Sequence, residues 1–308
     1  MKDKHPDIVI RHIKTKSKIR KIVSYCSDEC ELRQKHQSIN NFIQERFIPS
    51  IFSKAYIKNC SIYDNVKAHL YNDCFILMDI KNFFHNICHK QLSDKLFFEL
   101  NLIEENTITR KECNQIVNDC SINSRGIPLG FVTSPILSNI YLKDFDGIFY
   151  GKLKKFDLKN TIYTRYADDL VVSFKAEDLI QIDTIKHEII ELAKSILKRY
   201  GLRLNPKKTQ VIDLNKSNHV RITGISISKD SNNFRHLTVG RKLKNKLYQD
   251  ALNALQSGDK EHVLEIKGMQ SFILSVEKDD YENIYSQSMR NRIIQLGFSS
   301  LKELIDSL

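Results

Sequence analysis

Two aspartates, Asp168 and Asp169, sit side by side in a run that otherwise alternates apolar and polar residues. Thr161-Ile162-Tyr163-Thr164-Arg165-Tyr166 precedes them and Leu170-Val171-Val172-Ser173-Phe174 follows. That pattern predicts a β-hairpin with the acidic pair exposed at its turn. A third carboxylate, Asp79, closes another strand-like run, Cys74-Phe75-Ile76-Leu77-Met78. Carboxylates gathered at strand ends repel one another in a low-dielectric cleft unless a cation joins them. Hard divalent ions such as Mg²⁺ prefer these oxygen ligands and also hold substrate phosphates. A carboxylate set that binds two metals is what in-line nucleotidyl transfer needs: one ion activates the attacking hydroxyl and the other steadies the leaving pyrophosphate. A plain turn is the alternative, since Asp favours turns; the flanking Tyr166-Ala167 and the strict alternation weigh against it.

The elements that must position these residues follow from periodicity. Residues 1–24 are basic and alternate weakly, which predicts a short hairpin around Lys14–Lys18. Residues 31–54 read as one helix through Ile39, Phe42, Ile43, Phe47, Ile48 and Ile51. Residues 89–122 read as mostly helical. A further helix runs from Thr133-Ser134-Pro135 to about Tyr150, with a hydroxyl N-cap candidate and a proline near the first turn. An amphipathic helix from about Glu177 to Tyr200 stops at Gly201. Strands are expected over Lys208–Asp213 and Val220–Ser228, and a purely helical, initially basic segment from Gly240 onward. A hairpin flanked by helices on one side of an antiparallel sheet is an α+β plan.

Composition is consistent with this and adds a partner class. The 308 residues are 41% hydrophobic and 28% charged, ordinary for a globular protein. Lys and Arg exceed Asp and Glu, 48 to 37, giving a net charge of +11. Such an excess favours a polyanion, because each neutralised phosphate releases counterions. No apolar run approaches the ~20 residues of a membrane span, and Met1-Lys2-Asp3-Lys4-His5 opens no signal region; a cytoplasmic protein without a membrane partner is expected. Seven scattered cysteines form no C-x-x-C pair; Cys26 and Cys30, four apart, lack a second pair at zinc spacing and read as reduced thiols.

The motifs together resemble the reverse transcriptases. Tyr166-Ala167-Asp168-Asp169 is similar to the family's catalytic box, and Phe75–Phe84 to its first metal-binding box. The resemblance implies a right-hand polymerase with fingers, a palm of antiparallel sheet plus helices, and a small helical thumb. It places fingers over 1–72, a palm strand with the first metal ligand over 73–88, fingers and palm helices over 89–125, palm over 126–236, and an RNA-binding thumb over 237–308. It assigns two Mg²⁺ ions to Asp79, Ile80, Asp168 and Asp169. Phe84 then excludes a ribose 2′-OH by the bulk of its ring, with Phe83, Ile80 and Tyr166 also at the substrate. Ile127–Asn139 resembles the box that holds nucleotide and template, including Gly130; Leu129 departs from the family's usual glutamine. Asn205-Pro206-Lys207-Lys208 resembles the next box, in which a lysine serves as general acid or stabilises charge; Lys207 and Lys208 are both candidates. Lys16, Lys18, Arg20 and Lys21 resemble the basic fingers hairpin that clamps nucleotide and template.

Two further motifs narrow the resemblance to retron reverse transcriptases. Asn65-Val66-Lys67-Ala68-His69 is similar to their Asn-Ala-x-x-His signature, and Val220-Arg221-Ile222-Thr223-Gly224 to their Val-Thr-Gly signature. This implies a dedicated structured noncoding RNA as template and primer, initiation from an RNA 2′-OH, deoxynucleotide substrates and a branched RNA–DNA product. It also implies anti-phage defence beside a separately encoded effector. Asn65, His69, Arg241, Lys242, Lys244, Lys246 and Lys267 are the expected RNA contacts. The alternatives are another small bacterial defence or intron-type reverse transcriptase, or a nucleic-acid-binding scaffold with weak polymerase activity.

Overall fold

The computed structural model describes residues 6–14, 19–104, 107–175, 179–230, 232–257 and 262–308. The chain divides into two compact units, Met1–Ser61 with Asn72–Asp213, and Ile62–Tyr71 with Leu214–Leu308.

The first unit opens with antiparallel strands β1 (Ile8–Lys14) and β2 (Ile19–Tyr25), Ile8 facing Tyr25. Helix α1 (Glu31–Gln44) follows and is shorter than predicted. Pro49 accounts for this: it lacks an N–H and disfavours helical geometry at Ile48 before it. The chain continues as an irregular segment laid along a sheet edge. Helix α2 (Ile62–Lys67) belongs to the second unit.

Strand β3 (Cys74–Asp79) leads through the single turn α3 (Phe83–Asn86) into α4 (His89–Leu100) and α5 (Arg110–Asp119). The predicted helical stretch is thus two helices, the second started by a capping box in which the Thr109 hydroxyl accepts from Glu112 N–H. Helix α6 (Ser134–Leu153) has Pro135 in its first turn, but Thr133 is itself helical and its hydroxyl makes no cap bond. The hairpin is formed by β4 (Ile162–Tyr166) and β5 (Asp169–Phe174), followed by α7 (Leu179–Arg199) and β6 (Gln210–Asp213).

The sheet order is β4-β5-β3-β6, every neighbour antiparallel. Strands β3 and β5 are central and covered, which explains their nearly continuous apolar sequence. Ile76, Met78, Leu170 and Val172 join Ile140, Tyr141, Phe145, Ile189, Ala193 and Ile196 of α6 and α7 in one core. Each large apolar side chain buried this way contributes roughly 1.5–3 kcal/mol. The sheet ends that carry the carboxylates are therefore anchored on rigid strands.

In the second unit, the single strand predicted over 220–228 is two: β7 (His219–Ile222) and β8 (Ile225–Lys229), paired in turn with β9 (Arg235–Thr238). Thr223 and Gly224 form the turn with φ of 45° and 96°, the geometry that matches the twist of a two-residue hairpin. Helices α8 (Arg241–Ser257), α9 (Val263–Glu277), α10 (Gln287–Gln295) and α11 (Leu301–Ser307) complete it. Among the described residues no helix is long and apolar enough to cross a membrane, and all seven cysteines are free.

Candidate active site

Strand register assembles the acidic residues. Strands β3 and β5 pair with Asp79 directly opposite Asp169, and the β4–β5 ladder pairs Tyr166 with Asp169. Ala167 and Asp168 are left as the turn, Ala167 in the left-handed region at φ 56°. Like charges directly opposite in a ladder are unfavourable. The expected exposure of the acidic pair is only partial: Asp168 and Asp169 are half-buried and Asp79 is buried. Burial first, then the charges of Asp168 and Asp79, push Asp169 up to about 6 against the opposing pull of Lys208.

The loop before β6 closes on Asp79. Asn205 Nδ2 donates to Oδ1 at 3.1 Å and Lys208 Nζ to Oδ2 at 2.5 Å. Asn205 N–H donates to the Asp79 carbonyl at 2.7 Å. The hydrogen bond to Asp79 raises the Lys208 pKa, so its ammonium stays charged. Lys207 and Lys208 are both exposed, but it is the Lys208 ammonium that reaches Asp79, while the backbone N–H of Lys207 turns to Asn205 Oδ1. Asn205 was not singled out from sequence; the Asn-Pro pair ahead of two lysines was its only signal.

Hard oxygen donors on adjacent strand ends, one with a pKa raised by burial and then by its acidic neighbours, fit a hard divalent cation. Ile80, buried, has only its carbonyl to offer; its N–H donates to the Asp168 carbonyl at 2.9 Å. Among the described residues the group with donor atoms all within 4.8 Å of one another is a different one, Asp7, Cys26 and Cys30. There Asp7 Oδ2 accepts from Leu32 N–H at 3.0 Å in the first turn of α1. Three donors fall one short of a structural zinc site.

Residues 12–227 match the family described as reverse transcriptase (RNA-dependent DNA polymerase). The chain belongs to that family. It is 29% identical to the retron Ec73 reverse transcriptase of Escherichia coli over 67% of this chain and 66% of that one. It is 25% identical to the retron Ec86 reverse transcriptase of Escherichia coli, over 79% of this chain and 68% of that one. The first of these matches therefore spans just under two thirds of its relative's length. Among solved structures, apo telomerase from Candida tropicalis is a distant likeness: TM-score 0.49, 13% identity, 71% of this chain and 52% of that one. The family generally uses divalent metal ions.

The other expected site residues fall in several settings. Phe83 and Phe84 are both buried, rings 5.3 Å apart, Phe84 keeping slightly more surface. Tyr166 is half-buried. A Cβ on Gly130 would lie 1.8 Å from the Val23 carbonyl, so glycine is required there for β2 to approach. Leu129 is exposed. Arg20 lies on β2 opposite Ile13, while Lys16 and Lys18 fall outside the described residues.

In the second unit Asn65 and His69 are fully buried, and Asn65 Nδ2 donates to Thr223 Oγ1 at 3.2 Å. The two short signatures are therefore parts of one contact. Arg241 and Lys242 are exposed; Lys246 is exposed and lies 3.7 Å from Asp250; Lys267 is half-buried. Lys244 departs from expectation. It is buried and pairs with Glu277 at 2.7 Å, so its charge is spent inside the unit rather than on phosphate.

Beneath the Ala167-Asp168 turn lies a polar network that the sequence alone does not reveal. Arg165 is fully buried and forks onto Asp146, Nε to Oδ1 and Nη2 to Oδ2, both at 2.8 Å. Burial opposes its charge, but Asp146 more than compensates and keeps the guanidinium protonated. Tyr163 donates its hydroxyl to Asp146 at 2.8 Å. The fork–fork geometry is the strong form of this pair. Alternation placed Arg165 in a strand, but nothing in the sequence indicated its partner on α6.

Proposed function

We propose that this chain is the RNA-directed DNA polymerase of a retron, copying a dedicated structured noncoding RNA from an RNA 2′-OH primer into a branched RNA–DNA product used in anti-phage defence. The observation that supports it most is the placement of Asp79 opposite Asp169, with Asp168 at the adjoining turn. Two Mg²⁺ ions, when bound there, supply activation of the attacking hydroxyl and charge relief for the leaving pyrophosphate. Asp79, Asp168 and Asp169 would hold them, with the Ile80 carbonyl as a further oxygen. Lys208, kept protonated beside Asp79, is placed to neutralise charge or release a proton to pyrophosphate. Phe84 excludes the 2′-OH of a ribonucleotide. Catalysis of this kind is positioning and electrostatics, which a rigid sheet end provides.

The division into fingers (1–72), fingers and palm helices (89–125), palm (73–88, 126–236) and thumb (237–308) is part of the same proposal, as are a cytoplasmic location and a separately encoded effector. Arg241, Lys242, Lys246 and Lys267 are the candidate thumb contacts to RNA phosphates. Primer extension on RNA with Mg²⁺ and deoxynucleotides tests the polymerase: wild type extends, and Asp168→Asn falls to background. Sequencing RNA that co-purifies tests the retron assignment. One structured RNA bearing a branched DNA supports it, and a mixed cellular population overturns it.

A further inference from the structure

The segment Ser53–Tyr56 is fastened to the catalytic hairpin by its backbone. Arg165 N–H donates to the Phe52 carbonyl and Lys54 N–H to the Arg165 carbonyl, each at 2.8 Å, and Ser53 forms a parallel bridge with Arg165. Asn139 of α6 adds a side-chain clamp. Its Nδ2 donates to the Ala55 carbonyl at 2.9 Å, and its Oδ1 accepts from Ser53 Oγ at 2.9 Å and Arg165 Nη1 at 3.2 Å. That same Nη1 reaches the Ala167 carbonyl at 3.4 Å. One buried guanidinium and one buried amide thus hold two carbonyls, Ala55 and Ala167. The residue following each is Tyr56 and Asp168.

Tyr56 itself sits in the left-handed region at φ 61°, uncommon for a bulky residue. Residues held this way cluster at functional sites when their surroundings fix them. The residue is 51% exposed. Its hydroxyl feels burial first and then the charges of Asp168 and Tyr166, all of which raise its pKa. An aromatic side chain is therefore presented to solvent beside the catalytic turn, on a backbone the core has fixed in advance.

We propose that Tyr56 is a substrate-contacting residue whose ring packs on a nucleobase or sugar at the active site, and that Asn139 and Arg165 are the positioning residues that deliver it together with Asp168. The proposal rests on the polymerase reading above. Preorganisation explains the expense of burying an ion pair: the network holds two strained positions in register. Bases stack on aromatic rings without sequence preference, as a general polymerase requires.

Tyr56→Ala removes the ring from an exposed position and should leave the melting temperature unchanged. It should weaken either deoxynucleotide binding to the protein–primer–template complex or primer–template binding itself, by roughly ten-fold, the order of one base–aromatic stack. Fluorescence anisotropy on each ligand separately tells which is contacted, and needs no turnover. Tyr56→Phe should restore the affinity. Asn139→Ala should weaken the same ligand in wild type and weaken it clearly less in the Tyr56→Ala background, where only its hold on the Asp168 turn is left to lose, a coupling that general destabilisation does not give. Binding of both ligands within two-fold of wild type in Tyr56→Ala would overturn the proposal. Wild-type protein that binds both ligands but cannot extend the primer would instead overturn the polymerase reading.

Discussion

Asp169 carries the electrostatic tension of the site in a measurable form. Its pKa stands at about 6 against an ordinary 3.8, from burial and from Asp168 and Asp79. An acid with a raised folded-state pKa binds its proton more tightly when folded. Its stabilising contribution is therefore complete below about 4 and is lost as pH rises through about 6. In chelator, Asp169→Asn should flatten that part of the stability curve, melting higher than wild type at pH 8 while extending no primer. Thermal melts from pH 4 to 8 check this, and an unchanged slope would place the strain elsewhere. Because a carboxylate must be deprotonated to bind metal, Mn²⁺ affinity should climb across the same interval. Phe84→Ala is the second expectation at this scale: the ratio of ribonucleotide to deoxynucleotide specificity constants rises about ten-fold or more, since shape exclusion is removed. An unchanged ratio makes Phe84 a core residue only.

At the scale of elements, the hairpin and its carboxylates were legible because short apolar strand runs broken by acidic turn residues are local signals. The interior of α8 was not. Lys244 reads as a surface charge in a basic stretch, yet Glu277 at the end of α9 draws it inward. That carboxylate also accepts from Thr238 Oγ1 and Val239 N–H, both at 2.8 Å, so it ties β9, α8 and α9 together. Such a partnership across 33 residues has no sequence period to reveal it. The two partners should not be equivalent. Glu277→Ala strands a buried ammonium and two donors, and should cost about 3–5 kcal/mol. Lys244→Met leaves the carboxylate with two donors and should cost clearly less, by denaturant unfolding of each variant. The left-handed Ala167 and Tyr56, and the Arg165–Asp146 pair, were hidden for the same reason. They arise where elements meet, and local sequence carries no mark of the meeting.

Across the whole molecule the net charge of +11 predicts salt-sensitive binding to nucleic acid. Removing Arg241 and Lys242 together should lower the slope of log affinity against log salt by about 0.7–0.9 for each phosphate they neutralise in the wild type. Lys244→Met should leave the slope as it was, since that charge never reaches phosphate. The second unit also draws on two separate stretches of chain, Ile62–Tyr71 and Leu214–Leu308. Asn65 and Thr223, which bond within it, are 158 residues apart. At the ordinary pace of roughly 5–20 residues per second, α2 leaves the ribosome about 10–30 seconds before the hairpin it will hold. Through that interval a short helix with a polar residue meant for burial waits in water while the first unit forms. The order of synthesis thus favours completing the sheet that carries Asp79, Asp168 and Asp169 first, and the second unit can close only when the stretch Leu214–Leu308 has been made.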